Sequence, residues 1–271
     1  MVAISENGQD LMGSEEVVAT PPSFKINTVS ADAPMRWLEK GLKDYRAMLL
    51  PSTLMGLIYV LVGGVLIWTL FSYPIFITTL AAAFLMIGPL VAVGFYNMSN
   101  ELEQGRKHDL ISGTISGWSF LGRNLVSLCC FALVLGVLMG VWALVSAVSV
   151  ALFFDTFVVG GDVTSTLMSQ ANLMPFMVVY LLSAIAIAII AFSISVVSAP
   201  LITNRKVDFV TAMITSVETV KKNPSVMLTW GLMIAAMILV GFLLGFVGLA
   251  VTLPIVGHAS WHAYRELVVD A

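Results

Sequence analysis

Four long stretches of this chain contain no Asp, Glu, Lys, Arg or His: Pro51–Asn100, Asn124–Phe154, Val163–Asn204 and Asn223–Gly257. A helix that crosses a bilayer needs ~20 mostly apolar residues, and several of these stretches are long enough for two. Inside lipid every backbone N–H and C=O must be satisfied within the protein, so spans are helices or a closed barrel. Barrel strands are short and alternate with period two. "LSAIAIAIIAFSISVV" and "MLTWGLMIAAMILVGF" are long and uniformly apolar, which selects helices. Composition agrees: 59% of residues are hydrophobic and 11% charged, against roughly 45–50% and about 25% in soluble domains. The expected fold class is an all-α polytopic membrane protein.

The sequence predicts spans near Leu49–Phe71, Pro74–Met98, Leu125–Phe154, Met174–Ala199, Ser225–Phe242 and Val247–Tyr264. Lys and Arg then fall in Lys25–Arg46, Arg106–Arg123, Arg205–Lys222 and at Arg265. The intervening connections carry none, and basic segments mark the cytoplasmic side. Six spans put both termini there. Residues 1–30 are polar, Pro-containing and acidic, and lack the basic and apolar regions of a signal peptide; they read as a disordered tail. Residues 31–268 read as one integral membrane domain. The far-side segment Asp155–Leu173 carries Asp155 and Asp162 without EF-hand spacing and reads as a flexible connector.

The chain also resembles itself. "PLVAVGFYNMSNEL" (Pro89–Leu102) aligns without a gap on "PIVGHASWHAYREL" (Pro254–Leu267), and a shorter copy begins at Pro200. On this alignment a proline closes each even-numbered span. Each odd-numbered span is preceded by an amphipathic stretch. Leu38, Leu42, Tyr45 and Leu49 share a face in the first, with Glu39–Lys43 and Lys40–Asp44 at i,i+4 spacing. Val210, Met213, Ile214, Val217 and Val220 share one in the third, where Glu218 can reach Lys222. Gly113, Gly117 and Gly122 weaken the middle copy. The predicted architecture is six transmembrane helices plus three amphipathic interface helices, a threefold helix-hairpin repeat.

"APLITNRKVDFVTAMITSVETVKKNPSVMLTWG" followed by "PIVGHASWHAYREL" resembles an uncharacterised proteobacterial family of predicted integral membrane proteins, a domain of unknown function. The resemblance covers about Ile26 to Val268, with the run Gly257 to Arg265 as its most specific part. It implies a bacterial inner-membrane location and transfers no activity. More distantly, the amphipathic-helix-plus-hairpin pattern is similar to membrane domains attached to glycerophosphodiester phosphodiesterases, a likeness of fold alone.

Candidate chemistry is sparse. His258 and His262 are four residues apart, so they share a helix face and are the candidate metal or haem ligands. A metal site wants three or four ligands, and His108 lies on another segment. The competing reading places Trp261, Tyr264 and Arg265 in an interfacial belt at the lipid headgroups. Arg36, Lys40, Lys43, Arg205, Lys206, Lys221 and Lys222 are candidate headgroup contacts, and they also orient the spans. Cys129 and Cys130 are adjacent within a span and read as small apolar fillers. No ionisable residue lies at mid-depth, which argues against ion-coupled transport, although Gly63-Gly64, Gly88-Pro89 and Ala199-Pro200 offer helix breaks. "GVLMG" (Gly136–Gly140) is a close-packing candidate. No basic block suggests nucleic acid.

The expected function is a non-catalytic inner-membrane accessory or scaffold, with no cofactor, packing with lipids or partner membrane proteins. The alternatives are a small-solute transporter or channel, and a metal- or haem-associated protein using His258 and His262.

Overall fold

A computed structural model describes residues 24–70, 88–106, 109–119, 124–154 and 173–270. Described elements run β1 (Phe24–Ile26), α1 (Ala33–Ala47), α2 (Leu49–Leu70), α3 (Val93–Glu103), α4 (Leu110–Trp118), α5 (Leu125–Phe153), α6 (Leu173–Ser195), α7 (Ser198–Arg205), α8 (Phe209–Lys222), α9 (Pro224–Leu243), α10 (Leu249–Leu267) and β2 (Val268–Asp270). The chain is mostly helical, as the uncharged runs require. Most of the predicted Pro74–Met98 span, most of the far-side connector and residues 1–23 of the expected tail lie outside the described residues. Within the segment predicted as disordered tail, Phe24–Ile26 form a strand.

Among the described residues three helical segments are long and apolar enough to cross a membrane: Leu125–Phe153, Leu173–Arg205 and Pro224–Leu243. A fourth counts if α1 and the front of α2, bent by 100° at Met48, make one broken span. The six-span expectation is therefore met only in part. The residues of the predicted sixth span form α10, which is not one of these segments: it is almost wholly buried inside the protein and its second half carries His258, His262, Arg265 and Glu266.

Short helices precede the long ones because of identifiable breaks. Pro51 has no N–H and its ring would clash with the carbonyl of Ala47 four residues back, so α1 ends there. Pro224 acts likewise on Val220 after α8. Between α4 and α5 the break falls at Asn124, which adopts a left-handed φ of 52°, a conformation Asn tolerates. Two of the short helices are also capped: Asp208 Oδ1 accepts from Thr211 N at 2.9 Å, and Asp109 and Ser112 form a capping box, satisfying N–H groups left over at a helix start.

All three short helices pack through small residues. Gly41 lies against Ala259, Gly113 against Pro51 and Met48, and Gly117 against Met98. In α8 the buried stripe is Ala212, Thr215, Ser216 and Thr219. Of the predicted apolar stripe of α8, Val210 and Ile214 are exposed, as are Leu110, Ile111 and Ile115 of α4, while Met213 and Val220 pack against the core. Gly113 and Gly117 therefore serve packing. The i,i+4 pair expected between Glu218 and Lys222 is replaced, because Lys222 Nζ donates to the Ile26 carbonyl at 2.7 Å.

Pro254 does not close its helix, which runs on to Leu267. Helix also continues past Pro89 to Glu103, whereas before Pro200 α6 ends at Ser195 and the short α7 follows. A helix-interior proline removes one N–H and can leave the rest of the ladder intact. At Pro254 the bond withheld is the one to the Ala250 carbonyl, and that oxygen lies where a Cβ on Gly56 would be 2.5 Å away. The helical extensions below the prolines form the main contacts at this end: α3 packs on α4, α7 on α8, and α10 on α1.

The last contact joins the two ends of the chain. β1 and β2 pair antiparallel with Phe24 opposite Asp270 and Ile26 opposite Val268. Asn27 N donates to the Leu267 carbonyl at 2.8 Å. Asn223, at the α8–α9 junction, accepts from Val29 N at 3.0 Å and donates to the Asn27 carbonyl at 2.9 Å. The largest core cluster gathers at the same end, around Trp37, Trp230, Trp261 and Tyr264. Farther along, α5 and α6 meet through Trp142, Ile187 and Ala191 and leave Leu133, Leu144, Leu182 and Ile189 exposed, an outer face suited to acyl chains.

Candidate functional site

Where α10 crosses α1, with α2 and α3 alongside, the described residues hold their densest buried polar cluster. The crossing is close because Gly41 carries no side chain: an added Cβ would stand 2.5 Å from Ala259 N. That approach brings His258 and His262 of α10 against Asp44 of α1. His258 is fully buried. Its Nε2 lies 2.9 Å from Ser52 Oγ of α2 and its Nδ1 2.8 Å from Ser99 Oγ of α3. Ser99 Oγ in turn donates to Asp44 Oδ2 at 2.7 Å. The same carboxylate oxygen accepts from His262 Nε2 at 2.8 Å.

Hydrogen counting fixes the resting arrangement. A serine has one hydrogen to donate and an ionised carboxylate only accepts. Ser99 gives its hydrogen to Asp44, so His258 Nδ1 must donate to Ser99. The Nε2 of a neutral His258 then accepts from Ser52. Burial alone would push the Asp44 carboxyl up, but the bonds from His262 and Ser99 and the nearby imidazoles hold it below the ordinary carboxylate value.

Toward solvent the chain of contacts continues. His262 Nδ1 lies 3.8 Å from Glu103 Oε1, and Arg265 Nε lies 3.2 Å from Glu103 Oε2. Glu266 makes a second cluster one turn away: Arg36 Nη2 donates to its Oε1 at 2.6 Å, Trp37 Nε1 to its Oε2 at 2.9 Å, and Asn27 Nδ2 to its carbonyl at 3.0 Å. On the opposite side the cluster ends in apolar side chains, with Met55, Phe95 and Met98 fully buried. Phe95 stacks at a tilt on His258, 5.6 Å between ring centroids.

The residues expected at the lipid headgroups fall into two groups. Lys40, Lys43, Lys206 and Lys221 are exposed. Arg36 is bound to Asp32 and Glu266, Arg205 to Asp270, and Arg265 to Glu103. Trp261 and Tyr264 are not interfacial: both are buried within the protein, where Tyr264 Oη accepts from Asn204 Nδ2 at 3.0 Å. Their aromatic surface fills the core that α7 and α10 share. The expected Lys40–Asp44 pair gives way to Asp44–His262. Cys129 and Cys130 are free thiols. Among the described residues no group of three or more His, Cys, Asp and Glu side chains is placed to hold a metal ion.

Sequence reasoning missed Asp44, Ser52, Ser99, Glu103 and Glu266. One signal was present: Trp37, Gly41, Asp44 and Met48 recur at helical spacing on one face of α1, a face that mixes one acid with a tryptophan and a glycine.

Residues 76–204 match the model of a family described as predicted integral membrane protein (DUF2189). With its apolar helices, the chain is an integral membrane protein set in a lipid bilayer, similar over those residues to a family without an assigned activity. The matched region contains Ser99 and Glu103 but neither α1 nor α10, so most of the cluster lies outside it. No curated protein and no solved structure matches the chain.

Proposed function

We propose that the protein is a non-catalytic bacterial inner-membrane accessory or scaffold. It has six spans and three interface helices in a threefold repeat, with both termini in the cytoplasm. One observation carries this reading: the described ionisable side chains on the spans gather at one end, where they fasten the chain ends to each other, while α5 and α6 turn aliphatic side chains outward. An ion-coupled carrier keeps charged or histidine side chains at mid-depth, and the described spans place theirs elsewhere.

The repeat accounts for the contacts of the short helices. In the alignment His262 stands where Asn97 does. Asn97 donates to the Ser116 carbonyl and to Ser119 Oγ, 3.0 Å away, fixing α3 to the α4 region, just as His262 fixes α10 to α1. The first two units are joined to the next by a short loop. The third meets the first only through space, which gives the histidines a reason that Val93 and Asn97 lack. Exposed Lys206 and Lys221 stand before and at the end of α8, whose Val210 and Ile214 face outward, and Lys40 and Lys43 are exposed on α1; such lysines suit anionic headgroups at about 1 kcal/mol per basic residue.

The test is purification in native lipid particles, followed by identification of the proteins and lipids that remain bound. A reproducible partner or an enriched lipid class supports the scaffold reading. Solute uptake by proteoliposomes above that of empty vesicles overturns it.

A further inference from the structure

The cluster at the α1–α10 crossing is wired to accept one proton more than it holds at rest, and each hydrogen-bond partner it needs is present. At rest Ser52 donates to His258 Nε2. Ser52 Oγ also lies 3.7 Å from Met98 Sδ, a second acceptor within reach. If His258 Nε2 carries a hydrogen, Ser52 rotates to give its own to the sulfur and accepts from the imidazole. Neither state leaves a buried donor or acceptor of this set without a partner, a condition few buried histidines meet.

The geometry points to a proton-binding site at His258 Nε2, its charge balanced by Asp44 through Ser99. The step balances. His258 Nδ1 keeps its hydrogen, which Ser99 accepts while donating to Asp44. When the α1–α10 joint opens, a hydronium ion gives its proton to Nε2: one O–H bond breaks, one N–H bond forms and water is released. On closing, Nε2–H donates to Ser52 and Ser52 donates to Met98 Sδ. The products are an imidazolium with both nitrogens donating to serines, and a carboxylate one serine away to balance its charge. His262 Nε2 touches the same Asp44 oxygen and leads to Glu103 and Arg265, both partly exposed.

The ionisable groups facing this site are few. Asp44 comes from α1, and α10 itself gives His262 with Arg265 beyond it. α3 gives Glu103, α2 the Ser52 hydroxyl and, beyond Phe95, the Tyr59 phenol, and α9 has no ionisable side chain. Arg205 of α7 is engaged by Asp270. Met55, Phe95 and Met98 close the far side, so the site takes up and returns protons at one face and does not pass them across. A protein whose two ends meet over such a site can register acidification at that joint.

The test is histidine C2-hydrogen exchange, read by mass spectrometry on the detergent-solubilised full chain from pH 3.5 to 9. The variants are Asp44→Asn, Ser99→Ala and Ser99→Thr. The proposal expects a titration of His258 in the wild type and a midpoint lowered by about one pH unit or more in Asp44→Asn, where the balancing carboxylate is gone. It expects a comparable change in Ser99→Ala and recovery in Ser99→Thr, which keeps the hydroxyl. If a variant does not fold, nitrogen-15 imidazole spectra of the wild type decide alone: a neutral Nδ1–H form must convert to imidazolium as pH falls. A His258 that stays neutral in one tautomer over the whole range, or one whose titration ignores Asp44 and Ser99, overturns the proposal.

Discussion

Ser99 illustrates what one hydroxyl does at this crossing. It accepts from His258 and donates to Asp44, so its removal leaves a buried N–H and one carboxylate lone pair without partners. Unsatisfied buried groups cost ~1–3 kcal/mol each. Ser99→Ala is therefore expected to lower the thermal unfolding midpoint clearly, while Ser183→Ala, on the outward side of α6, is not; a melt in detergent followed by tryptophan fluorescence separates them. Asp44 sets the pH dependence. Its folded-state pKa lies below the unfolded value of ~3.9, so its contribution is complete above that value and is lost as pH falls through the lower, folded one. Stability should hold from neutrality to about pH 4, decline below it, and decline less in Asp44→Asn. Part of this was legible in the sequence. The i,i+4 spacing showed that His258 and His262 share a face. Their partners Asp44, Ser52 and Ser99 lie 159 to 218 positions away, and no local pattern indicates which distant helix a face will meet.

At the scale of helices, the glycines divide by what stands opposite them. An added Cβ at Gly56 would sit 2.5 Å from the Ala250 carbonyl, and one at Gly41 would sit 2.5 Å from Ala259 N. Neither contact is with the flexible end of a side chain, so relief requires moving a helix. Gly41→Val and Gly56→Val should each destabilise by about 1–3 kcal/mol or more. Gly64→Val, where an added Cβ meets nothing within 4 Å, should not. Unfolding midpoints of the three variants provide the comparison. Helix positions were legible in the sequence because apolar runs and prolines act locally: α2, α5, α6 and α9 begin and end close to the predicted bounds. Helix faces were less so. The aliphatic stripe of α8 was legible as the face of an interface helix, and Val210 and Ile214 do face outward; the inner contact, made by small or hydroxylated residues, carried no such mark. The same inner packing explains why Gly113 and Gly117, weak for an isolated helix, suit α4.

For the whole molecule, the decisive feature is that the chain closes on itself. Covalent loops hold α3 near α4 and α7 near α8. Nothing covalent holds α10 near α1, and that is where the strand pair, the Glu266 contacts and the histidine cluster are found. Cutting this joint should loosen the protein more than an equal loss elsewhere. Glu266→Gln, which weakens the contact with Arg36 and keeps a partner for Trp37, should increase proteolytic cleavage within residues 24–32 and leave cleavage within 173–222 unchanged; limited proteolysis with mass-spectrometric mapping reads both. The internal likeness of Pro89–Leu102 and Pro254–Leu267 led to the expectation of a repeat. That the last unit returns to the first follows from three-dimensional packing alone. The central claim is that the two ends meet on one face of the membrane, the cytoplasmic one. The direct measurement is labelling of Lys25→Cys and of Val269→Cys, each in a Cys129→Ser, Cys130→Ser background, by a membrane-impermeant maleimide in oriented vesicles. Both positions should react only when the cytoplasmic face is outward, and labelling of the two from opposite faces would contradict the account.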